Sequence, residues 1–303
     1  MKKSYKINED FVNSRLDRWI KRNICRIPQS LIEKNLRKGK IKVNNKKKNS
    51  SYKLQLNDEV LLYNFNFQTR EIAKRIDYYH PTRTEVSLTK GIFIENNNNF
   101  VVINKPSGIA VQSGTKSKKN ILDILRKTEE FKESSPYSVH RLDKETSGIM
   151  IVAKNRNYAQ LFTSLFRIRK IHKTYLAIIK GELSEKKGTF IDDLFYYEGK
   201  KKVIHRAKSS FKVIDSKNNY SLIKLNPETG RKHQLRKQLM IRGHSIIGDI
   251  KYNLNNKHLK KNANLMLHAS EISFKINSIK YKFSAELPIY FSNFIKEKYL
   301  KIY

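Results

Sequence analysis

The chain has 303 residues, 63 Lys+Arg against 27 Asp+Glu, and a formal charge of +36 at pH 7. This length suits about two domains of roughly 150 residues each, and the charge excludes a protein that repels polyanions. A hydrophobic content of 39% excludes wholesale disorder, and the single cysteine, Cys25, excludes a disulfide framework or a multi-cysteine zinc site.

No apolar run approaches 18 residues, so no membrane-spanning helix is expected. The basic start, Met1 to Lys6, leads into Ile7-Asn8-Glu9-Asp10 rather than an apolar signal segment. A cytoplasmic protein with no membrane partner is expected. Two readings of the charge stand side by side. AT-rich coding inflates Lys, Asn and Ile together. Glu has AT-rich codons too, however, and the acids have not risen with the lysines. The favoured partner is therefore a nucleic acid held through its phosphates.

In chain order, the first predicted element is a helix over about Arg15 to Ile24. Ser14 is its expected cap, and Leu16, Trp19, Ile20 and Ile24 share one face. A second helix follows over Leu31 to Lys38, capped by Ser30 with Glu33 and ended by Gly39. Arg18, Arg22, Lys34, Arg37 and Lys38 lie off the apolar faces. Strands are expected at Ile41–Asn44 and Glu59–Leu62. This fits a compact RNA-binding module. It equally fits two solvated helix faces on a small core.

Residues 63–90 read as a connector, with Pro81 against a continuous helix. Beyond Gly91 the pattern turns to strands: Phe100–Asn104, the unbroken apolar run Ile149–Ala153, Lys173–Ile179, then 209–214, 220–225, 264–274 and 279–285. Helices are expected at Asn120–Lys127 and Tyr158–Lys170. Without regular βαβ alternation, this is an α+β fold around one mixed sheet.

Two polar clusters could carry chemistry. His140-Arg141-Leu142-Asp143-Lys144-Glu145-Thr146-Ser147-Gly148 precedes the buried run 149–153. A carboxylate there is held at a sheet end, where active sites commonly lie. Equally, Asp143 could pair with Arg141 or Lys144 and merely end the strand. Thr229-Gly230-Arg231-Lys232-His233-Gln234-Leu235-Arg236 enters a short helix ending near Gly243. Its cations could hold a carboxylate and a phosphate together, or form one more basic helix start. His233 has no Asp, Glu or His at i+3 or i+4, so no metal site is expected.

Together these motifs resemble the ribosomal large subunit pseudouridine synthases, closest to the type-C branch. The resemblance rests on His140-Arg141-Leu142-Asp143-x-x-Thr146-Ser147-Gly148, Asn104-Lys105-Pro106-Ser107-Gly108 and Lys173-Thr174-Tyr175. It extends to Gly230-Arg231-x-His233-Gln234-Leu235-Arg236 and Gly248-Asp249-x-x-Tyr252. Residues 13–62 resemble an S4 domain, whose helix pair sits on structured RNA. The implied organisation is an S4 RNA-binding domain (1–62), a linker (63–90) and a pseudouridine synthase domain (91–303). The catalytic domain would be built on a mixed, largely antiparallel β-sheet with flanking helices.

The resemblance implies isomerisation of uridine to pseudouridine in 23S ribosomal RNA, by a monomer without cofactor. Asp143 would be the catalytic carboxylate and Arg236 its partner, holding its pKa down. Tyr175 would pack on the target uracil. His140, Arg141, Thr146, Leu235, Arg231 and His233 would support the site, and Arg18, Arg22, Lys34, Arg37 and Lys38 would bind RNA. A non-catalytic ribosome-assembly factor and a synthase acting on tRNA or another large-subunit site are the alternatives. Two residues depart from the family pattern: Lys232 where a small hydroxyl residue is usual, and Gln238 where histidine is usual.

Overall fold

The computed structural model describes residues 2–24, 27–64, 79–87, 89–114, 118–198, 201–253 and 263–302. The chain divides into two compact units, Met1–Ile76 and Asp77–Tyr303. Among the described residues no helix is long and apolar enough to cross a membrane.

The first unit runs β1 (Lys2–Lys6), α1 (Leu16–Asn23), α2 (Gln29–Arg37), β2 (Ile41–Val43) and β3 (Glu59–Tyr63). Its three strands form an antiparallel sheet in the order β1-β3-β2. Leu16, Trp19, Ile20, Ile32 and Leu36 of the helices bury against Ile41, Val43, Val60 and Leu62. The apolar spacing predicted both helices correctly, but not their caps. Arg15, not Ser14, occupies the cap of α1, and no side chain caps it. The carboxylate of Asp17 is occupied by the Arg15 guanidinium, at 2.6 Å, and by the backbone N–H of Arg18. α2 begins earlier than expected, so Ser30 lies inside it and Pro28 precedes it. Gly39 ends α2 at φ +70°. Its N–H donates to Leu36 O and that of Lys40 to Asn35 O, the paired bonds of a Schellman motif. The basic start of the chain is not a loose tail: β1 pairs with β3 along its whole length.

The second unit carries α3 (Arg83–Ser87), β4 (Phe93–Asn96), β5 (Phe100–Lys105), α4 (Ile121–Leu125), β6 (Tyr137–Ser138), β7 (Ser147–Ala153), α5 (Arg156–Arg167) and β8 (His172–Lys180). It continues with β9 (Lys187–Glu198), β10 (Lys201–Lys217), β11 (Tyr220–Pro227), α6 (Gln234–Ile241), β12 (Leu267–Ile276), β13 (Ile279–Ser284) and α7 (Ile289–Glu297). Ten strands form one sheet, ordered β4-β5-β7-β12-β8-β11-β10-β9, with β13 on β12 and β6 on β7. Only the β7–β12 pairing among them is parallel, as the mixed-sheet expectation requires. The strands at β4 and β9, the full length of β10, and α7 were not expected from the sequence. Within the span read as a connector, α3 belongs to this unit, and Glu85 pairs with Lys119 at 2.6 Å.

Two apolar cores lie along this sheet. One gathers β5, β7, α4, α5 and β12. The other gathers β8, β9, β10, β11, α6 and α7. Tyr175 packs against both. The two cores therefore meet at this residue, next to the turn that enters β7. Gly148 sits in that entry at φ +112°, where an added Cβ would stand 2.2 Å from Ala269 O. Only glycine lets β7 approach β12 here.

Candidate active site

The loop before β7 is fixed from behind. The His140 ring packs tilted against Phe166, with ring centroids 4.5 Å apart, and its Nε2 accepts the Ile151 N–H at 2.9 Å. Burial lowers this imidazole to about 3, so it is a neutral acceptor and a brace for the loop. Lys105, fully buried at the end of β5, extends its ammonium into the same turn. It donates to Pro106 O at 2.8 Å, Ile109 O at 2.9 Å and Lys144 O at 3.3 Å. Burial pushes this lysine down to about 7, while Glu145 and Asp143 favour its charge. Ser107 adds a bond to Glu145 O at 2.6 Å. The Asn104–Gly108 motif thus clamps the turn carrying Asp143. A lysine closing an apolar strand was the signal for this role, which the sequence analysis did not assign.

After the turn, Ser147 is fully buried beside His268. The directions of its bonds follow from chemistry. Ala285 O can only accept, so His268 Nε2, 3.3 Å away, carries the proton. His268 Nδ1 is then the acceptor for the Ser147 hydroxyl at 2.9 Å, and Ser147 Oγ accepts from Tyr290 at 3.2 Å. Thr146 is also buried, and among the described residues its hydroxyl has no partner.

From the other side, the N-terminus of α6 brings Arg236 to Asp143. Its Nη1 lies 3.5 Å from Asp143 Oδ2 and 3.6 Å from Glu145 Oε2. Its stronger commitment is to Asp249. Nε donates to Oδ2 at 2.7 Å and Nη2 to Oδ1 at 2.8 Å, with the Asp249 carboxylate fully buried. Asp249 also accepts the N–H groups of Lys251 and Tyr252. His233, at φ +53°, presents Nε2 3.6 Å from Asp143 Oδ1 and Nδ1 2.7 Å from the Tyr252 hydroxyl. Burial, with Arg236, Lys251 and Lys232 nearby, lowers His233 to about 4, so it meets Asp143 as a neutral ring.

This arrangement corrects the expected pKa of Asp143. Burial pushes its carboxyl above the ordinary aspartate value, and Arg236 only partly opposes that. The physical reason is that the short, forked bonds of Arg236 are spent on Asp249. Asp249 stood in a quoted motif but was given no role. Tyr175 is pushed above the ordinary tyrosine range, by burial and then by the Asp143 charge. It is a protonated phenol, able to donate.

Asp143, Tyr175 and Arg236 line one cleft of about 750 Å³. His140, Arg141, Thr146, Leu235, Arg231 and His233 line it as well. The structure therefore brings together every site residue singled out in the second unit. Arg18, Arg22, Lys34, Arg37 and Lys38 are all exposed on the helices of the first unit. Gln238 does not face the cleft contents. It is fully buried, accepts from Ser209 Oγ at 2.7 Å and donates to Asp192 at 2.8 Å. This departure is satisfied inside the fold. Among the described residues no cluster could hold a metal ion.

The RNA pseudouridylate synthase family matches residues 99–240. A ribosomal large subunit pseudouridine synthase C of Rickettsia felis is 31% identical, over 93% of this chain and 96% of that protein. One of the same name from Buchnera aphidicola subsp. Schizaphis graminum is 29% identical, over 95% of each. Among solved structures, human RNA pseudouridylate synthase domain containing 4 superposes with a TM-score of 0.62 at 25% identity. It covers 72% of this chain and 98% of its own. On its relatives, with its sheet in agreement, the chain belongs to the ribosomal large subunit pseudouridine synthase family.

Proposed function

We propose that this chain isomerises uridine to pseudouridine in 23S ribosomal RNA, with Asp143 as the catalytic carboxylate. The observation that carries the reading is the convergence of Asp143, Arg236 and Tyr175 on one cleft, from a strand entry, a helix start and a strand. The reaction breaks the N1–C1′ bond, rotates the base and joins C5 to C1′. N1 gains a proton and C5 loses one, so the reaction is redox-neutral. An ionised carboxylate suits such chemistry, as nucleophile or base. Arg236 stabilises that ionised form. Tyr175 offers a ring to the target base and a phenol to move a proton. The target must leave its stack to reach Asp143, at a cost of about a few kcal/mol. The rRNA substrate is supported by the names of the relatives and by the charge of +36.

The first unit serves in this proposal as the S4 RNA-binding domain. Arg18, Arg22, Lys34, Arg37 and Lys38 would contact phosphates, which position an RNA without reading its sequence. The test of the catalytic assignment is Asp143→Asn. It retains shape and removes the ionised oxygen, so RNA binding should remain within about twofold while pseudouridine formation falls below detection. Pseudouridine is read by chemical mapping of a 23S fragment. Near-normal turnover by the purified variant would sink the assignment.

A further inference from the structure

α6 carries two buried amides that the reaction does not use. Gln234 and Gln238 stand four residues apart, one above the other on the helix, at 4% and 0% exposure. Both bond the hydroxyl of Ser209 on β10, which is itself fully buried. Gln234 has its other end on the cleft. Its Oε1 accepts the Thr229 hydroxyl at 2.7 Å and the Arg231 backbone N–H at 3.0 Å. Thr229, Arg231 and Gln234 all line the cleft. Gln238 has its other end on β9, where Nε2 donates to Asp192 Oδ2 at 2.8 Å.

Every bond in this relay has one allowed direction. The Asp192 carboxylate only accepts, so Gln238 turns its NH2 group toward it and its Oε1 toward Ser209. Ser209 must then donate to Gln238 at 2.7 Å and accept from Gln234 Nε2 at 2.8 Å. That leaves Gln234 Oε1 for the cleft loop. The Arg231 N–H only donates, so the loop independently demands the same orientation. The two ends agree, and donors run unbroken from Thr229 to Asp192. The spare amide hydrogens are satisfied too, on Lys208 O at 3.1 Å and Phe190 O at 3.3 Å. Arg242 holds the far end, with Nη1 3.0 Å from Asp192 Oδ2. Aligned buried bonds strengthen one another, and a member left without its partner is costly. Arg236, on the same helix, is fixed separately by its fork on Asp249.

We propose that Gln238 is a positioning residue for RNA binding: through Ser209 and Gln234 it holds residues 229–231 as a preformed wall of the cleft. The RNA in this proposal rests on the pseudouridine synthase reading. Gln238 is also where this sequence departs from the histidine of the family pattern. A neutral imidazole has one acceptor and one N–H, so it can make the same two bonds to Ser209 and Asp192. The relay acts on the wall that receives RNA and touches no reacting atom.

The test begins with Gln238→Met, which keeps the length of the side chain and removes its bonds. The Arg231 amide should then exchange its hydrogen about tenfold faster, while the amides of β7 keep their protection. KM for a 23S fragment should rise about three- to tenfold, the worth of one hydrogen bond. Turnover at saturating RNA should stay within about twofold, because Asp249 still holds Arg236. Gln238→His, assayed at about pH 8 where imidazole is neutral, should restore both exchange and KM. Ser209→Ala cuts the relay in the middle and should reproduce the Gln238→Met effects. It also carries the test if Gln238→Met does not fold. The double variant should be no worse than either single one, because both break the same relay. Unchanged Arg231 exchange in both single variants overturns the proposal, as does faster exchange with an unchanged KM. Exchange that quickens equally through β7 overturns it too, since the relay would then serve global stability. The exchange measurement needs no RNA, so the two readings separate. A wild type that turns over no uridine sinks the proposed function, whereas wild-type turnover with unchanged Arg231 exchange in the variants sinks only the relay.

Discussion

At the scale of single residues, the site turns on how one arginine divides itself between Asp249 on one side and Asp143 and Glu145 on the other. Asp249 is fully buried and takes both short bonds of Arg236, while Asp143 receives one bond at 3.5 Å. Burial therefore outweighs the arginine at Asp143, whose pKa is raised. A carboxylate with a raised pKa loses its charge at higher pH than an ordinary aspartate. If the ionised form reacts, activity must fall off, as pH drops, above the ordinary aspartate range. Arg236→Ala removes the charge that opposes burial, so the acid limb should move to still higher pH. Arg236→Lys retains the charge but not the fork, and its limb should move less. Single-turnover rates between pH 4 and 8 measure this. Breaking a buried pair costs about 3–5 kcal/mol, so the variants are compared below their unfolding temperatures. An acid limb that stays in place in Arg236→Ala would remove Arg236 from the ionisation of Asp143. Sequence made Arg236 and Asp143 legible as partners through their motifs. It could not show the competition, because Asp249 enters the site only when the turn after α6 folds back.

At the scale of elements, legibility followed the local pattern. The run Ile149–Ala153 was readable as a buried strand because every residue in it is apolar, and β7 is buried throughout. The helix α5 was readable from Leu161, Phe162, Leu165 and Phe166, all packed against one core. β9 was missed because Lys187 to Glu198 mixes charges with apolar residues, and its pairing with β10 is what makes it a strand. β1 was missed for the same reason: its five residues are mostly exposed and gain order from β3. The Ser147–His268–Tyr290 chain was invisible in sequence, since its members come from β7, β12 and α7. That chain carries a prediction. Burial lowers His268 to about 4, below the ordinary value of 6.5. The unfolded chain thus binds more protons between those values, and stability is lost as pH falls from about 6.5 toward 4. The loss should reach about 3.5 kcal/mol at most, from roughly 1.4 kcal/mol per pKa unit. His268→Gln should show a shallower decline of unfolding temperature between pH 7 and 5 than wild type. Parallel declines would show that other groups, such as His233, carry the acid sensitivity. Tyr290→Phe removes one hydrogen bond, worth about 1 kcal/mol, and should leave that pH dependence unchanged.

At the scale of the whole molecule, the proposal that the first unit binds RNA and the second does the chemistry can be tested by separating them. Each unit has its own apolar core, so neither depends on the other to bury its helices and strands. The exposed cations of α1 and α2 belong to the first unit, and Asp143, Tyr175 and Arg236 to the second. Removing residues 1–76 should therefore leave the cleft of the second unit folded while deleting the phosphate contacts proposed for the first. Each lost contact flattens the slope of log affinity against log salt by roughly 0.7 to 0.9. If the five cations of α1 and α2 reach two to four phosphates, affinity for a long 23S fragment should fall and the slope should flatten by about two to four units. At saturating enzyme the single-turnover rate should stay within about twofold, because Asp143, Tyr175 and Arg236 all belong to the second unit. Short fragments should lose least, since a tethered second contact raises effective concentration only where the RNA spans both units. Salt titrations of the full-length and shortened proteins against one RNA make the comparison. Equal slopes would mean that the first unit is not bound to phosphates. A shortened protein that binds at saturation yet does not react would place part of the catalytic machinery in the first unit.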